Sequence, residues 1–162
     1  MNKDRQLAFI AQVAPAAQAS QRRTGVPASV TIAQAALESA WGSSELARHC
    51  NNFFGIKKAQ RDWLYCEFQT AESRSGVARR ELAKFRHFET AEECFERHGA
   101  LLSKSKTYRA AMQHAADSLA FAYQLQVCGY ATDPSYSKKL VALITKWGLR
   151  KFDLPREEKR HA

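Results

Sequence analysis

The sequence predicts a mainly helical α+β domain in which several helices surround one core and a small β-hairpin interrupts them. Two observations support this prediction. Apolar residues recur at helical spacing through most of the chain, as they do in helices that bury one face. Within the segment Trp63–Phe88, strand-forming residues instead lie on both sides of a turn.

Two helices are predicted at the start of the chain. The segment Asp4–Arg23 has apolar residues at helical spacing, and Gly25 follows it as a residue that can end a helix. Pro27 is suited to a first helical turn and opens a second segment that reaches Ala40. Glu38 is therefore expected in the final turn of the second helix.

The hairpin is predicted from residue type and turn chemistry. Trp63, Tyr65 and Phe68 favour a strand, and the run Ser-Arg-Ser-Gly at 73–76 supplies a turn. Aromatic and aliphatic residues then resume through Phe88. We expect a two-stranded ribbon in this part of the chain.

Three helices are predicted after the hairpin. Thr90 and Glu93 form the pattern of a capping box ahead of an apolar stripe. A further helix is expected over Asp117–Cys128. Asp133 is expected to cap the last helix with Pro134 at its first position, and an apolar stripe runs from Tyr136 to Trp147.

The length of 162 residues is that of one domain. We expect residues 1–154 to form it and the almost wholly polar stretch 155–162 to be a tail.

The first thirty residues contain no uninterrupted apolar h-region. No run elsewhere approaches the roughly 20 apolar residues that span a bilayer. We therefore expect no export signal of its own and no membrane insertion. We also expect a monomer.

The charge balance favours anionic partners. The chain has 25 Lys and Arg against 16 Asp and Glu, a net charge of +9. Anionic cell-wall polymers, nucleic acid or acidic membranes would satisfy this excess, and so would a basic surface that simply faces water. The sequence contains no recognisable nucleic-acid-binding motif, so we do not expect a nucleic acid partner.

The four cysteines do not form a metal-binding pattern in the sequence. Cys50, Cys66, Cys94 and Cys128 include no CxxC pair and no tight Cys/His cluster. We expect free thiols, mostly buried. An even count also permits two disulfides if the protein works outside the cytoplasm.

Glu38 is the candidate for acid catalysis. Its neighbours from Ala35 to Trp41 are small or apolar, and no basic residue lies within several positions. A carboxyl group in apolar surroundings is harder to ionise, so its pKa rises and it can stay protonated near neutral pH. The alternative interpretation is an exposed glutamate at a helix end.

Three ordered blocks resemble the signature of family 73 glycoside hydrolases, which include several bacterial autolysins. These blocks are AQAALESAWG at Ala33–Gly42, NNFFGIK at Asn51–Lys57, and GYATDPSY at Gly129–Tyr136, with Lys139 and Leu140 after it. The resemblance implies a lysozyme-like helical domain whose hairpin lobe flanks the active-site cleft. It also implies an endo-β-N-acetylglucosaminidase that cleaves the β-1,4 bond after N-acetylglucosamine in peptidoglycan strands and needs no metal or organic cofactor.

The resemblance also implies the catalytic residues. The family's general acid corresponds to Glu38, and its cleft tyrosine corresponds to Tyr130. A second acidic residue is expected on the hairpin, where the comparison favours Glu72. The local match is imperfect, so Glu67 is a rival, and its position on the opposite face of the same strand separates the two.

Three further residues are candidates for substrate binding. The amide of Asn52 can hydrogen-bond N-acetyl sugars, and the ring of Phe54 can stack on them. Trp63 could form a wall of the glycan groove, although packing in the core is an equal alternative for it.

Other functions fit part of these observations. A muramidase would cleave the other bond of the same glycan, and a non-catalytic wall-binding module would keep the cleft without the chemistry. The absence of an export signal suggests a phage endolysin, a bacteriolytic and antimicrobial enzyme that is made in the cytoplasm and reaches the wall after release. A domain cut from a longer protein is the other explanation.

Overall fold

The computed structural model describes residues 1–74 and 76–155, without the side chains of 71–74 and 77–79. Within this part of the chain, seven α-helices surround one core and a two-stranded antiparallel hairpin projects between the third and fourth helices, which confirms the predicted fold class. The helices are α1 (Lys3–Thr24), α2 (Ala28–Glu38), α3 (Glu45–Cys50), α4 (Ala91–Lys104), α5 (Arg109–Gln113), α6 (Ser118–Val127) and α7 (Tyr136–Lys146). The strands are β1 (Tyr65–Arg74) and β2 (Val77–Arg86), and 3₁₀ turns occupy Lys106–Tyr108 and Leu149–Phe152. The predicted tail lies outside the described residues, apart from Pro155.

Helix α2 lies at the centre of the molecule. Its first nine residues, 28–36, are all buried, including the polar side chains of Ser29, Thr31 and Gln34, so other elements enclose this helix on every side. Asp153, from the chain's last described segment, accepts hydrogen bonds from the Ser29 backbone N–H and hydroxyl, both at 2.7 Å. The buried start of α2 is thus satisfied by a distant carboxylate, which also suits the positive end of the helix dipole.

The first two predicted helices are confirmed. Helix α1 ends at Gly25, whose φ of +81° is the left-handed conformation that glycine adopts without strain. Glu38 is the last residue of helix α2, in its final turn as predicted, so this carboxyl group stands at the edge of the core. Helix α3 was not predicted, because six residues are too few to show a periodic pattern.

The later helices are confirmed with one change at a boundary. Thr90 caps α4 through its hydroxyl, and Asp117 caps α6 through its carboxylate. Helix α7 begins at Tyr136 rather than at Pro134. Asp133 accepts from the Ser135 N–H at 2.8 Å, so its side chain closes the turn before α7 and does not cap the helix.

The hairpin pairs Tyr65 with Arg86 at its base, and the ladder continues to Arg74 and Val77. The Arg86 N–H donates to the Ile56 carbonyl at 2.9 Å, which attaches the base of the hairpin to the body of the domain. No helix in the described ranges has the length and apolar character of a membrane span.

The expectation of four free thiols is wrong for two of the cysteines. Cys50 at the end of α3 and Cys66 near the start of β1 form a disulfide, while Cys94 and Cys128 are free. Nδ1 of His87 lies 3.6 Å from Sγ of Cys66, so a Cys/His cluster that the sequence spacing hides forms in the fold. The disulfide links the base of the hairpin to α3.

Candidate active site

The Glu38 carboxyl group lies against two tyrosine hydroxyl groups. Tyr130, in the loop between α6 and α7, donates its hydroxyl hydrogen to this group, and its oxygen lies 3.1 Å from Oε1 and 3.3 Å from Oε2. Tyr136, the first residue of α7, lies 3.5 Å from Oε2. Because Tyr130 and Tyr136 stack on each other with ring centroids 5.4 Å apart, the two hydroxyl groups are held side by side. The fold therefore brings together Glu38 and Tyr130, which lie 92 positions apart in the sequence.

These surroundings raise the pKa of Glu38 from 4.5 to about 8. Burial of the carboxyl group by the surrounding protein is the main cause, and the hydrogen bonds from Tyr130 and Tyr136 act in the opposite direction. The residue as a whole is nevertheless open to solvent. Because water screens an accessible carboxylate, the free energy associated with this shift is smaller than it would be for a fully enclosed carboxyl group.

Three buried polar side chains form a further hydrogen-bonded set next to Glu38. Gln34, one helical turn earlier on α2, donates from Nε2 to the Tyr136 hydroxyl at 3.0 Å. Its Oε1 lies 2.9 Å from Nε2 of His98 on α4. Gln34, Tyr136 and His98 are all buried. Buried polar groups are costly unless they are paired, and these three are paired with one another.

Asn52 and Phe54 are not placed for the sugar-binding roles predicted for them. Asn52 is buried, and its amide donates to the carbonyls of Ile56 and Arg86, both at 2.9 Å, while its oxygen accepts from the Ile56 N–H. Phe54 is also buried and stacks on His98 with ring centroids 3.8 Å apart. Asn52 therefore ties its loop to the hairpin, and Phe54 packs in the core.

Trp63 is 79% exposed, which excludes the alternative of core packing. It lines a groove of about 680 Å³ together with Arg61, Arg86 and Arg97 and two glutamates of α4. Neither Glu38 nor Tyr130 is among the described residues that line this groove.

The hairpin carries both candidates for the second carboxylate. Glu67 is exposed and forms an ion pair with Lys84 across the hairpin at 3.5 Å. Glu72 is paired in register with Arg79, but its side chain lies outside the described residues. The choice between Glu67 and Glu72 therefore stays a prediction.

The model of a protein family described as mannosyl-glycoprotein endo-β-N-acetylglucosaminidase, the glucosaminidase family, matches residues 14–149. The chain belongs to this family. In the classification of glycoside hydrolases it is family 73, the family that the three sequence blocks resemble.

Two curated relatives agree with this assignment. The peptidoglycan hydrolase FlgJ of Pseudomonas aeruginosa is 37% identical over 140 residues, which cover 83% of this chain and 35% of FlgJ. The exo-glucosaminidase LytG of Bacillus subtilis is 36% identical over 155 residues, which cover 93% of this chain and 54% of LytG. The chain thus spans between a third and about half of the length of these relatives.

Solved structures of glucosaminidase domains share the fold. The catalytic domain of the autolysin Auto from Listeria monocytogenes superposes with a TM-score of 0.84 at 30% identity, covering 94% of this chain and 90% of that domain. The glycoside hydrolase domain of FlgJ from Salmonella typhimurium gives a TM-score of 0.75 at 31% identity, with coverages of 93% and 91%.

Sequence reasoning about this glucosaminidase-family domain missed Tyr136, Gln34 and His98 as neighbours of Glu38. Tyr136 falls in the third sequence block, but it was read as part of the apolar stripe of α7. Gln34 offered a signal, since a residue four positions before Glu38 lies on the same face of a helix. His98 offered none, because only the packing of α4 on α2 brings it close.

Proposed function

We propose that this domain is a peptidoglycan hydrolase, an endo-β-N-acetylglucosaminidase that cleaves the β-1,4 bond after N-acetylglucosamine with Glu38 as general acid. The observation that carries the proposal is the Glu38 carboxyl group, open to solvent and bonded to Tyr130, within a glucosaminidase-family fold. FlgJ is named a peptidoglycan hydrolase and LytG a glucosaminidase, which supports the same substrate here.

The proposed first step is proton transfer from Glu38 to the glycosidic oxygen as the bond between that oxygen and C1 breaks. The raised pKa keeps the proton on Glu38 near neutral pH, which this step needs. Tyr130, 3.1 Å from Oε1, then stabilises the carboxylate that the step creates. Water completes the reaction at C1 and returns a proton to Glu38.

The group that assists at C1 is proposed to be Glu72, or the substrate's own 2-acetamido oxygen with Glu72 as a stabilising charge. Glu67 is a weaker choice, because its carboxylate already lies beside the ammonium group of Lys84. Glu72→Gln and Glu67→Gln are a matched pair on one strand. We expect the first to lose most activity and the second to keep it, and the reverse result would reassign the second carboxylate to Glu67.

The bond that is cleaved can be read from the new reducing ends. Purified sacculi are digested, the products are reduced with borohydride, and the reduced sugars are identified by chromatography and mass spectrometry. Glucosaminitol is the expected product. Muramitol would make the domain a muramidase and overturn the proposed bond specificity.

The same digestion separates an enzyme from a wall-binding module. Glu38→Gln keeps the shape of the side chain and removes the proton, so sugar release should fall by at least about a hundredfold. Tyr123→Phe, at an exposed position, is the control that should keep full activity. If Glu38→Gln binds sacculi and releases sugar as fast as the wild type, Glu38 is not the acid.

The size of the products distinguishes endo from exo cleavage. LytG is named an exo-glucosaminidase, whereas we propose internal cleavage for this domain. Early in the digestion, long glycan fragments should appear and free terminal sugars should not. Early release of terminal units alone would place this domain with the exo-acting enzymes.

The bacteriolytic role is proposed to be that of an endolysin. The net charge of +9 supports contact with an anionic envelope. Lysis of permeabilised cells should therefore weaken strongly between about 50 and 300 mM salt, while cleavage of short soluble glycans should not. Equal salt sensitivity of both reactions would contradict this electrostatic contribution.

A further inference from the structure

A buried polar chain leads from α4 to Glu38. Nε2 of His98 lies 2.9 Å from Oε1 of Gln34, and Nε2 of Gln34 donates to the Tyr136 hydroxyl at 3.0 Å. The Tyr136 hydroxyl in turn donates to Oε2 of Glu38 at 3.5 Å. His98, Gln34 and Tyr136 are 2%, 0% and 5% exposed, so water cannot replace one of them.

The direction of each hydrogen bond in this chain is fixed by the Gln34 amide. A hydroxyl group has a single hydrogen to donate. Because the Gln34 amide donates to Tyr136, the Tyr136 hydrogen is left for Glu38. A reversed amide would take the Tyr136 hydrogen for itself, and the tyrosine would then turn a lone pair towards the Glu38 carboxylate.

The tautomer of His98 that carries its hydrogen on Nε2 keeps the Gln34 amide in this orientation, and the inference requires that tautomer. Oε1 of Gln34 has a partner in His98 only when Nε2 of the imidazole carries a hydrogen. The ring of His98 stacks on Phe54 with planes 6° apart, which fixes its position. Burial lowers the pKa of His98 to about 3, so the ring is neutral and holds a single hydrogen across the working pH range.

We propose that Gln34 and His98 are positioning residues, which hold Tyr136 as a hydrogen-bond donor to the Glu38 carboxyl group. This inference rests on the proposed role of Glu38 as general acid. Neither residue needs to touch the substrate. After Glu38 gives up its proton, its carboxylate must persist until water returns one, and a donor that always faces Oε2 stabilises that state.

The groups that face Glu38 come from several elements. Tyr130 and Tyr136 bond to it, and Tyr108 from the turn before α5 and Cys94 from α4 respond to its charge. Burial raises the pKa of Tyr130 well above its ordinary value and that of Cys94 to about 12, so neither is charged at neutral pH. The guanidinium of Arg86, on β2, also acts on Cys94. The two tyrosines are therefore the groups through which the pKa of Glu38 is tuned.

The test measures the pKa of Glu38 directly, by NMR titration of the ¹³C-labelled glutamate carboxyl groups, with Glu38→Gln assigning the signal. Tyr136→Phe removes the donor and should raise the pKa of Glu38 by about half to one pH unit. Gln34→Met should raise it in the same direction by less. Because Gln34 acts through Tyr136, the double variant should match Tyr136→Phe alone.

A second route and a control accompany these variants. His98→Phe keeps a ring stacked on Phe54 but loses the hydrogen bond to Gln34, so it should raise the pKa of Glu38 as Gln34→Met does. It gives a second route to this result if Gln34→Met folds poorly. Thr31→Val is the control, because Thr31 is equally buried on α2 and its hydroxyl bonds to the Pro27 carbonyl. It should lower stability and leave the pKa of Glu38 unchanged.

Activity on sacculi gives the functional readout. The alkaline limb of the kcat profile should move to higher pH in Tyr136→Phe and Gln34→Met, with KM unchanged. An unmoved Glu38 pKa in both Gln34→Met and His98→Phe, or full additivity in the double variant, would overturn the inference. If the wild type releases no sugar, the proposed function fails, while the titration still decides whether Gln34 positions Tyr136.

Discussion

Replacing Glu38 with glutamine should stabilise the folded protein, and more so at alkaline than at acidic pH. The raised pKa of Glu38 means that the folded protein keeps a proton which the unfolded chain releases. The stability associated with this group is therefore complete below about pH 4.5 and is lost as the pH rises towards 8. Glutamine is neutral at every pH and avoids this loss.

The size of the effect follows from the difference between the two pKa values of Glu38. The rise from 4.5 to about 8 would correspond to about 5 kcal/mol for a fully enclosed carboxyl group, at about 1.36 kcal/mol per pH unit. Solvent reaches Glu38 and screens its charge, so we expect roughly 1–2 kcal/mol. In a domain of this size, that raises Tm by about 3–6 °C.

The assay is thermal unfolding followed by circular dichroism at about pH 4 and about pH 8.5. The Tm of Glu38→Gln should match the wild type at the lower pH and exceed it at the higher pH. Glu67→Gln is the control, because the exposed ion pair with Lys84 contributes little at either pH. An equal gain at both pH values, or a lower Tm at the higher one, would refute the reasoning that the site disfavours the carboxylate.

Three further predictions concern single contacts. Tyr130→Phe removes the shortest hydrogen bond to the carboxyl group and should lower kcat on sacculi about tenfold or more with little change in KM; an unchanged kcat would remove Tyr130 from the site. Cys50→Ser breaks the disulfide that closes a 16-residue separation and should cost about 3 kcal/mol in guanidinium unfolding, whereas reductant should leave the stability of this variant unchanged. Gly99→Ala should destabilise the α1–α4 contact by about 1–3 kcal/mol, since its Cβ would meet Ser20 and Thr24; a gain in Tm, as in an open helix, would contradict that packing.

Local signals in the sequence were sufficient for most of the helices. Helix α1 ends at Gly25 and α6 begins after Asp117, because a left-handed glycine and a capping carboxylate act within a few residues. The start of α7 was misplaced because Asp133 has two possible local partners, and it bonds to Ser135 in a turn. The disulfide could not be predicted, since spacing along the chain does not show that α3 ends beside β1.

Some residues of the candidate site could likewise be predicted from local sequence, and others could not. The apolar neighbours of Glu38 indicated a raised pKa, and burial is indeed its main cause. Asn52 and Phe54 were misjudged because sequence shows that an amide and a ring are present but not whether other groups already occupy them. Gln34 and His98 escaped notice because their contribution depends on the packing of α4 against α2.

The two tyrosines and the burial of Glu38 act in opposite directions, and this opposition suits a reaction that needs both forms of the carboxyl group. Burial favours the protonated form, which can donate to the glycosidic oxygen. The hydroxyl groups of Tyr130 and Tyr136 favour the carboxylate, which must accept a proton back from water. Loss of one tyrosine should raise the pKa of Glu38, which slows proton donation to the glycosidic oxygen and leaves the return of a proton from water intact, so the enzyme is slowed but not inactivated. Loss of the Glu38 carboxyl group removes both steps, and no change at the tyrosines can compensate for it.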